Sequence, residues 1–455
     1  MLKESIIDIL ILISRYAFVL FIFIFLWSGY KAIIFEKENE TGEFINKIYM
    51  QRFMIVLTHV LAFVILMMTS KDSVQIIEIM KLSAFGLAFI ILFMIFTSLI
   101  YKKSDPVIWN CILFLMVVGL IMLERIDHDL AKKQIIWFLA GTFVMIFIPL
   151  VFKIVPRFEA FKYLYLILGW IFILSPFILG KERYGAYNWI YIGNFAFQPS
   201  EIVKFLFIFY LASALRAYHS IKDLILPSSM AGGYVLVLVL QRDLGGALIF
   251  FLTFLILVYV RTSSSLLFFG GLGGASLASV LAYKLFSHVQ VRVQAWLNPW
   301  KEIDTKGYQI TQSLFAIGTW GWLGSGLTAG YPKHIPVVES DFIFSAICEE
   351  FGNLFSIGII LVFLLIILRG TLIALKSNRI FYSLLAMGAV SLIAIQTFLI
   401  IGGVIKMIPL TGVTLPFISY GGSSVIVSIM ITGILQWIQS YYATREEVLE
   451  YDDSL

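Results

Sequence analysis

Charge is what this chain has least of. Asp, Glu, Lys and Arg make up 13% of its 455 residues, while 60% are hydrophobic and the mean hydropathy is +0.95. Soluble domains carry about twice that share of charge, so a soluble globular chain is excluded and a polytopic membrane protein remains. Cysteine is nearly absent as well: Cys111 and Cys348 both fall in apolar runs, and no disulfide framework or cysteine metal cluster is implied. Missing too is the period-two alternation of an outer-membrane barrel, so the spans are helices, in which each backbone group finds its partner internally. The first apolar run, Ile6 to Trp27, is too long for a signal peptide and has no small-residue cleavage site, which makes it a retained span. The net charge of +5 lies in loops, where membrane orientation explains it, and nucleic acid is not indicated.

What is there is a series of apolar runs that predicts an all-α fold. Three spans come first, at about Ile6–Trp27, Phe53–Thr69 and Ile79–Tyr101, without a polar constellation, as expected of an accessory region over residues 1–104. Ten more follow, at about Val107–Leu123, Ile135–Phe152, Leu164–Leu179, Glu201–Leu215, Met230–Leu240, Ala247–Val260, Leu266–Leu285, Phe342–Leu368, Phe381–Gly402 and Val413–Trp437. Lys102, Lys103, Lys153, Arg157, Lys162, Arg216, Lys222, Arg261, Arg369, Lys376 and Arg379 fall in alternate loops, which the positive-inside rule makes cytoplasmic. Lys132, Lys133, Lys181 and Arg183 are the exceptions. The amino terminus and the loop 286–341 are then outside, and the carboxyl terminus inside.

The longest stretch neither apolar enough to span nor charged enough to be a tail is Lys301–Gly352, centred on Asp341. Pro336 breaks the chain upstream and an apolar run follows, so Asp341 is expected at the water end of a spanning helix, with Glu349 and Glu350 roughly 12–14 Å deeper. Carboxylates at that depth mark a functional site unless they are paired; the alternative is a helix cap at Asp341 above a structural glutamate. Upstream, Gln309, Gln312 and Ser313 are expected on one face of a short interfacial helix, with Ile310, Leu314 and Ile317 turned away.

Four polar islands interrupt the spans. Trp189 leads to Gln198-Pro199-Ser200-Glu201, with Lys204 one turn on and in reach of Glu201. Gln241-Arg242-Asp243 separates two spans, and Arg292–Trp300 opens the large loop. Pro409–Ser424, which carries Thr411, Ser419, Tyr420, Gly421, Gly422 and Ser423, is expected to break the last span and line a cavity. With Asp341 they describe one polar cavity open to the outside.

In order and spacing these residues resemble the SEDS family, the shape, elongation, division and sporulation proteins FtsW, RodA and SpoVE. The resemblance covers about Asp105–Gln439 and rests on Gln198-Pro-Ser-Glu with Lys204, Gln241 with Asp243-Leu-Gly, Gly307-Tyr-Gln with Asp341-Phe-Ile-Phe and Glu349-Glu350, and Pro409 with the Ser419-Tyr-Gly-Gly-Ser run. It implies a ten-helix core over 105–455 and a peptidoglycan glycosyltransferase that polymerises lipid II on the outer face, with Asp341 as the catalytic carboxylate. It further implies substrate contacts from the islands, from Gln309, Gln312 and Ser313, and from Glu349 and Glu350. Lys204, Arg242, Arg292 and Lys333 are candidate holders of the departing pyrophosphate, and no cofactor is certain, although a divalent cation, Mg or Mn, is compatible. A class B penicillin-binding protein and other divisome or elongasome proteins are the implied partners. A lipid II flippase and a non-catalytic scaffold are the rival classes; only the enzyme makes glycan polymer from purified lipid II. Three departures stand out: Glu339 rather than an acid directly after Pro336, Tyr187-Asn188 before Trp189, and Arg242 where proline is common.

Overall fold

The structure, a computed structural model, describes the backbone of residues 2–38, 40–155, 157–183, 186–193 and 195–453. Side chains are described for the same residues except 2–4, 37, 181–183, 186, 192, 195 and 445–453. Lys181 and Arg183, two of the exceptions to the loop-charge pattern, therefore have side chains outside the described residues.

Sixteen α-helices follow one another among the described residues: α1 (Leu2–Lys37), α2 (Thr41–Thr69), α3 (Ser73–Ile100), α4 (Pro106–Ile126), α5 (His128–Ile146), α6 (Ile148–Ile154), α7 (Lys162–Leu179), α8 (Pro199–Arg216), α9 (Ile225–Leu240), α10 (Leu244–Thr262), α11 (Ser265–Leu285), α12 (Ser287–Leu297), α13 (Tyr308–Thr319), α14 (Ile343–Lys376), α15 (Ile380–Val404) and α16 (Gly422–Asp453). Among the described residues twelve spans are long and apolar enough to cross a membrane, so the chain is a multi-pass membrane protein. The remaining expected span, α8, forms as a buried helix, but Glu201, Lys204 and Arg216 lower its apolar content. The last span starts later than expected. Pro409, Pro416 and left-handed backbone at Lys406, Gly412 and Phe417 keep 405–421 out of helix, so this segment lies against the helices instead of breaking one.

The all-α expectation holds, with one small antiparallel sheet, β1 (Gly180–Arg183), β2 (Ala186–Ile192) and β3 (Phe195–Phe197) in that order, added in a loop. It turns the island around Trp189 into a hairpin between α7 and α8.

Two helices organise the interior. All of α4 except Pro106 and Arg125 is buried, because α2, α3, α5 and α14 surround it; most of α15 is buried among α8, α10, α14 and α16. α1–α3 thus belong to the same packed body as the rest. They also carry polar ties that the sequence did not reveal. Gln51 Nε2 donates to Phe25 O at 3.2 Å, and Asn110 Nδ2 donates to Gln51 Oε1 at 3.1 Å. At the far end of α1, Glu36 and Asp105 both bind the Arg369 guanidinium, Glu36 at 2.6 Å. A buried arginine with two carboxylates is held firmly, since loss of either partner leaves a charge uncompensated.

Opposite ends of the bundle differ in character. Asp341, Asp243, Gln198 and Arg292 gather at one end. Arg261, which donates to Leu215 O, Arg216 and the Glu36–Arg369–Asp105 group lie at the other. The start of α1 is at the Asp341 end, where Arg15 Nε meets Leu323 O at 3.4 Å.

Candidate active site

Asp341 is placed by backbone turns on two sides. Val337, a β-branched residue with φ +56°, bends the chain so that the N–H groups of Ser340 and Asp341 both reach its carbonyl, at 3.3 and 3.1 Å. Such a conformation costs of order 1–3 kcal/mol and persists only where its surroundings impose it. Those surroundings are the 405–421 segment. Ser419 Oγ donates to Ser340 O at 2.6 Å and accepts from Leu415 N at 2.9 Å, while Tyr420 N donates to Glu339 O at 2.9 Å. Gln134 Nε2 of α5 holds Ser419 O at 3.2 Å. Asp341 is not a helix cap: Phe342 occupies the cap position of α14, and no side chain caps there.

The carboxylate faces a cation across a glycine. Arg292 Nη1 donates to Leu410 O at 3.3 Å and Thr411 O at 3.1 Å, pinning the guanidinium to the irregular segment. A β-carbon on Gly412 (φ +72°) would lie 3.5 Å from Asp341 Oδ2 and 3.7 Å from Arg292 Nη2, so both groups flank the same α-carbon. Ser340 Oγ donates to Asp341 Oδ1 at 2.9 Å. Burial pushes the Asp341 carboxyl up to about 6, against the pull of the Ser340 hydroxyl and of Arg292, with Glu339 adding a smaller upward push. Burial lowers Arg292 from its ordinary value, opposed by Asp243 and Asp341. A partly exposed carboxylate with a pKa near neutrality beside a fixed guanidinium suits proton abstraction next to a developing negative charge.

Around this pair the islands fall into place unequally. Asp243 is a hub: its Oδ2 accepts from Asn188 Nδ2 at 2.9 Å and Gln198 Nε2 at 3.1 Å, and its Oδ1 accepts from Gly246 N at 2.8 Å. This ties the hairpin to the start of α10. Glu201 and Lys204 pair at 2.7 Å, and Lys204 continues at 3.0 Å to Gln396, which binds Thr414. Ser200 is buried beside them in the first turn of α8. Thr411 is buried, with its hydroxyl unpartnered. Tyr420, Gly421 and Ser423 stay partly open, and Gly422 packs on the Trp137 ring.

The model of the FtsW/RodA/SpoVE cell-cycle protein family matches residues 105–444. The chain belongs to this family. Among its relatives, the peptidoglycan glycosyltransferase RodA of Mycobacterium tuberculosis is 33% identical over 386 residues, covering 78% of this chain and 82% of the relative. The stage V sporulation protein E of Bacillus subtilis is 32% identical over 363 residues, covering 75% of this chain and 98% of the relative. The fold is similar to a solved peptidoglycan synthase complex that coordinates polymerization and crosslinking, with TM-score 0.65 and 24% identity over 74% of this chain and 98% of that one. It is similar also to the rod shape determining protein RodA of Thermus thermophilus, with TM-score 0.54 and 23% identity over 74% of this chain and 96% of that one.

Several expected site residues of this family member do other work. Gln241 is buried and donates to Ile173 O at 2.6 Å, joining α9 to α7. Ser313 is buried with Ile310, because residues three apart share a helix face; its hydroxyl meets Ser345 Oγ at 2.7 Å and donates to Val404 O at 3.0 Å. Gln309 and Gln312 stay half-buried on α13, and Trp189 half-buried on β2. Lys333 is exposed in a single 3₁₀ turn, Pro332–His334, and Arg242 lies over the Tyr187 ring at 5.7 Å. Lys204 is bound to Glu201, so Arg292 is the candidate cation that reaches Asp341.

Glu349 and Glu350 face the loop after α13 that carries Gly321, Gly324, Gly326 and Gly330, the glycine-rich loop, rather than the Asp341 pocket. Glu349 Oε1 accepts from Tyr331 N at 2.6 Å, and fully buried Glu350 pairs with Arg125 at 2.8 Å. Both lie on the half-helix that starts at Ile343, because α14 is not one straight rod but breaks just beyond them, at Gly352 (φ +86°, ψ 166°). The residues after the break are enough to span a membrane alone.

Arg125 and His288 escaped sequence reasoning. Arg125 ends an apolar run opposite a buried glutamate, a signal only in hindsight of the fold. His288 lies one turn before Arg292, where burial and the charges of Arg292 and Arg242 lower its pKa. Among the described residues no three His, Cys, Asp or Glu side chains are placed to hold a metal. Asp341 offers one carboxylate and the oxygens of Asp243 are already engaged, so the residues do not fit a protein-built metal site.

Proposed function

We propose that Asp341 is the general base of lipid II polymerisation on the outer face of the cytoplasmic membrane. The activity class rests on the family and its relatives: the chain is a peptidoglycan glycosyltransferase. In the reaction, the acceptor sugar hydroxyl loses its proton to Asp341 as its oxygen bonds to the anomeric carbon of the donor. The bond from that carbon to undecaprenyl pyrophosphate breaks, and the anion departs with the bonding electrons. Pyrophosphate leaves readily, so one base and a cation suffice and the anomeric carbon inverts. Arg292, fixed to the carbonyls of residues 410 and 411, is the cation nearest the base. The single observation that carries this assignment is the Asp341–Gly412–Arg292 arrangement at one polar end of the bundle.

Orientation by the positive-inside rule supports an outer site, because the basic loops gather at the opposite end. The division of the chain into an accessory region, 1–104, and a core, 105–455, is supported by the match that begins at 105. A class B penicillin-binding protein supplies the crosslinking activity, by analogy with the similar synthase complex. The test is purified protein in liposomes with labelled lipid II. Wild type makes glycan polymer and Asp341→Asn makes none; polymer from the variant at the wild-type rate refutes the assignment.

A further inference from the structure

The break in α14 is built from backbone exchange. In a continuous helix the N–H groups of Asn353 and Leu354 would reach the carbonyls of Glu349 and Glu350. Here the glycine-rich loop has inserted between them. Ser325 N donates to Glu349 O at 2.8 Å and Gly326 N to Glu350 O at 3.0 Å; Asn353 N reaches Gly321 O at 3.3 Å and Leu354 N reaches Trp322 O at 3.1 Å. The four groups of these two exchanged bonds are thus all paired with the loop. Gly352 permits it: a β-carbon there would lie 2.4 Å from Gly324 N.

α1 lies parallel to α14 across this break. The Phe18 ring meets Phe351 edge-on at 4.8 Å and Phe355 at 6.4 Å, one on each side of Gly352. Below, Ile22 fills the space at Gly358; above, Ile11 and Arg15 cover Gly326, and Arg15 holds Leu323 O. The half-helix thus secured, Ile343–Phe351, begins two residues after Asp341.

We propose that α1 is a splint that holds the catalytic half-helix in its broken, loop-inserted form, with Phe18 and Arg15 as positioning residues for the glycosyl transfer. The proposal rests on Asp341 being the base. α1 lies outside the matched family region, so this support is supplied by the chain's own leading segment. Without it the helix has an alternative, the continuous ladder with the loop expelled, which turns the half-helix and moves Asp341.

The test uses full-length protein in liposomes with labelled lipid II. Phe18→Ala is expected to lower kcat about 10- to 100-fold, with KM little changed, as displacement of a catalytic group does. The acid limb of its pH profile is expected to move to lower pH, because a loosened half-helix admits water to Asp341, and Phe18→Tyr is expected to restore both. Amide exchange at Asn353 and Leu354 should quicken in Phe18→Ala. Should that variant fail to insert, Arg15→Ala against Arg15→Lys gives the same comparison. Wild-type kcat, pH limb and exchange in a folded Phe18→Ala overturn the splint. If Asp341→Asn proves active, the base assignment fails instead, and amide exchange alone then decides the splint.

Discussion

Asp341 works as a base only when ionised, so polymerisation should rise with pH through its pKa of about 6. At pH 5 about one site in ten is ionised and at pH 7 about nine in ten, so the rate should fall roughly tenfold per unit below the limb. Lipid II carries phosphates that titrate nearby, so the wild-type profile alone does not identify the group. Ser340→Ala does. Its hydroxyl holds the ionised form, and removing it raises the pKa and moves the limb to higher pH while leaving the substrate untouched. The same shift bears on stability. A folded-state carboxyl raised from 3.8 to about 6 binds its proton more tightly than the unfolded chain does. The stability this contributes is complete below about pH 4 and lost as pH rises through 6, so at neutral pH the ionised group costs about 3 kcal/mol. Rates measured in vesicles clamped from pH 5 to 8 would refute the reasoning if the profile were flat, or if Ser340→Ala left the limb in place.

Asp341→Asn should abolish polymerisation and, by removing that partly desolvated charge, raise the thermal unfolding midpoint in detergent at pH 7.5 by a few degrees. Gly352→Ala should sharply reduce polymerisation and expose the loop to protease between residues 321 and 331, because no β-carbon fits against Gly324 N. Glu350→Gln should destabilise the protein by about 3–5 kcal/mol by leaving Arg125 uncompensated, far more than Glu349→Gln; equal midpoints for the two would contradict the pairing. Deleting residues 1–104 should lower both thermal stability and activity, since the deletion strips the cover from α4 and leaves Arg369 without Glu36.

How much of this was legible in the sequence depends on how local the signal is. The spans follow from apolar length, and the Glu201–Lys204 pair from i,i+3 spacing. The position of Asp341 before a spanning helix was readable because Pro336 and the apolar run frame it. What could not be read were contacts between residues far apart in the chain: Arg125 with Glu350, Ser419 with Ser340, and Arg292 with the 410–411 carbonyls. Periodicity carries no information about which face meets which neighbour. The loop insertion left one local trace, Gly352 two residues after Glu350, but glycine in an apolar helix has many uses. The hairpin was missed because its alternation, Tyr187 to Ile192, is short and sits between two spans.

The Glu36–Arg369–Asp105 cluster constrains biosynthesis. Asp105 emerges from the ribosome 264 residues before Arg369, and Glu36 emerges 333 before it. At about 5–20 residues per second, the nascent chain spends roughly 10–50 s with the Asp105 carboxylate at the membrane surface and no guanidinium to receive it. Until then the Glu36 and Asp105 end of the leading helices lacks its cation, although Gln51 and Asn110 already tie α1, α2 and α4 to one another. The cluster needs Arg369 of α14 to close, and once closed it fastens first-made and late-made parts of the chain together.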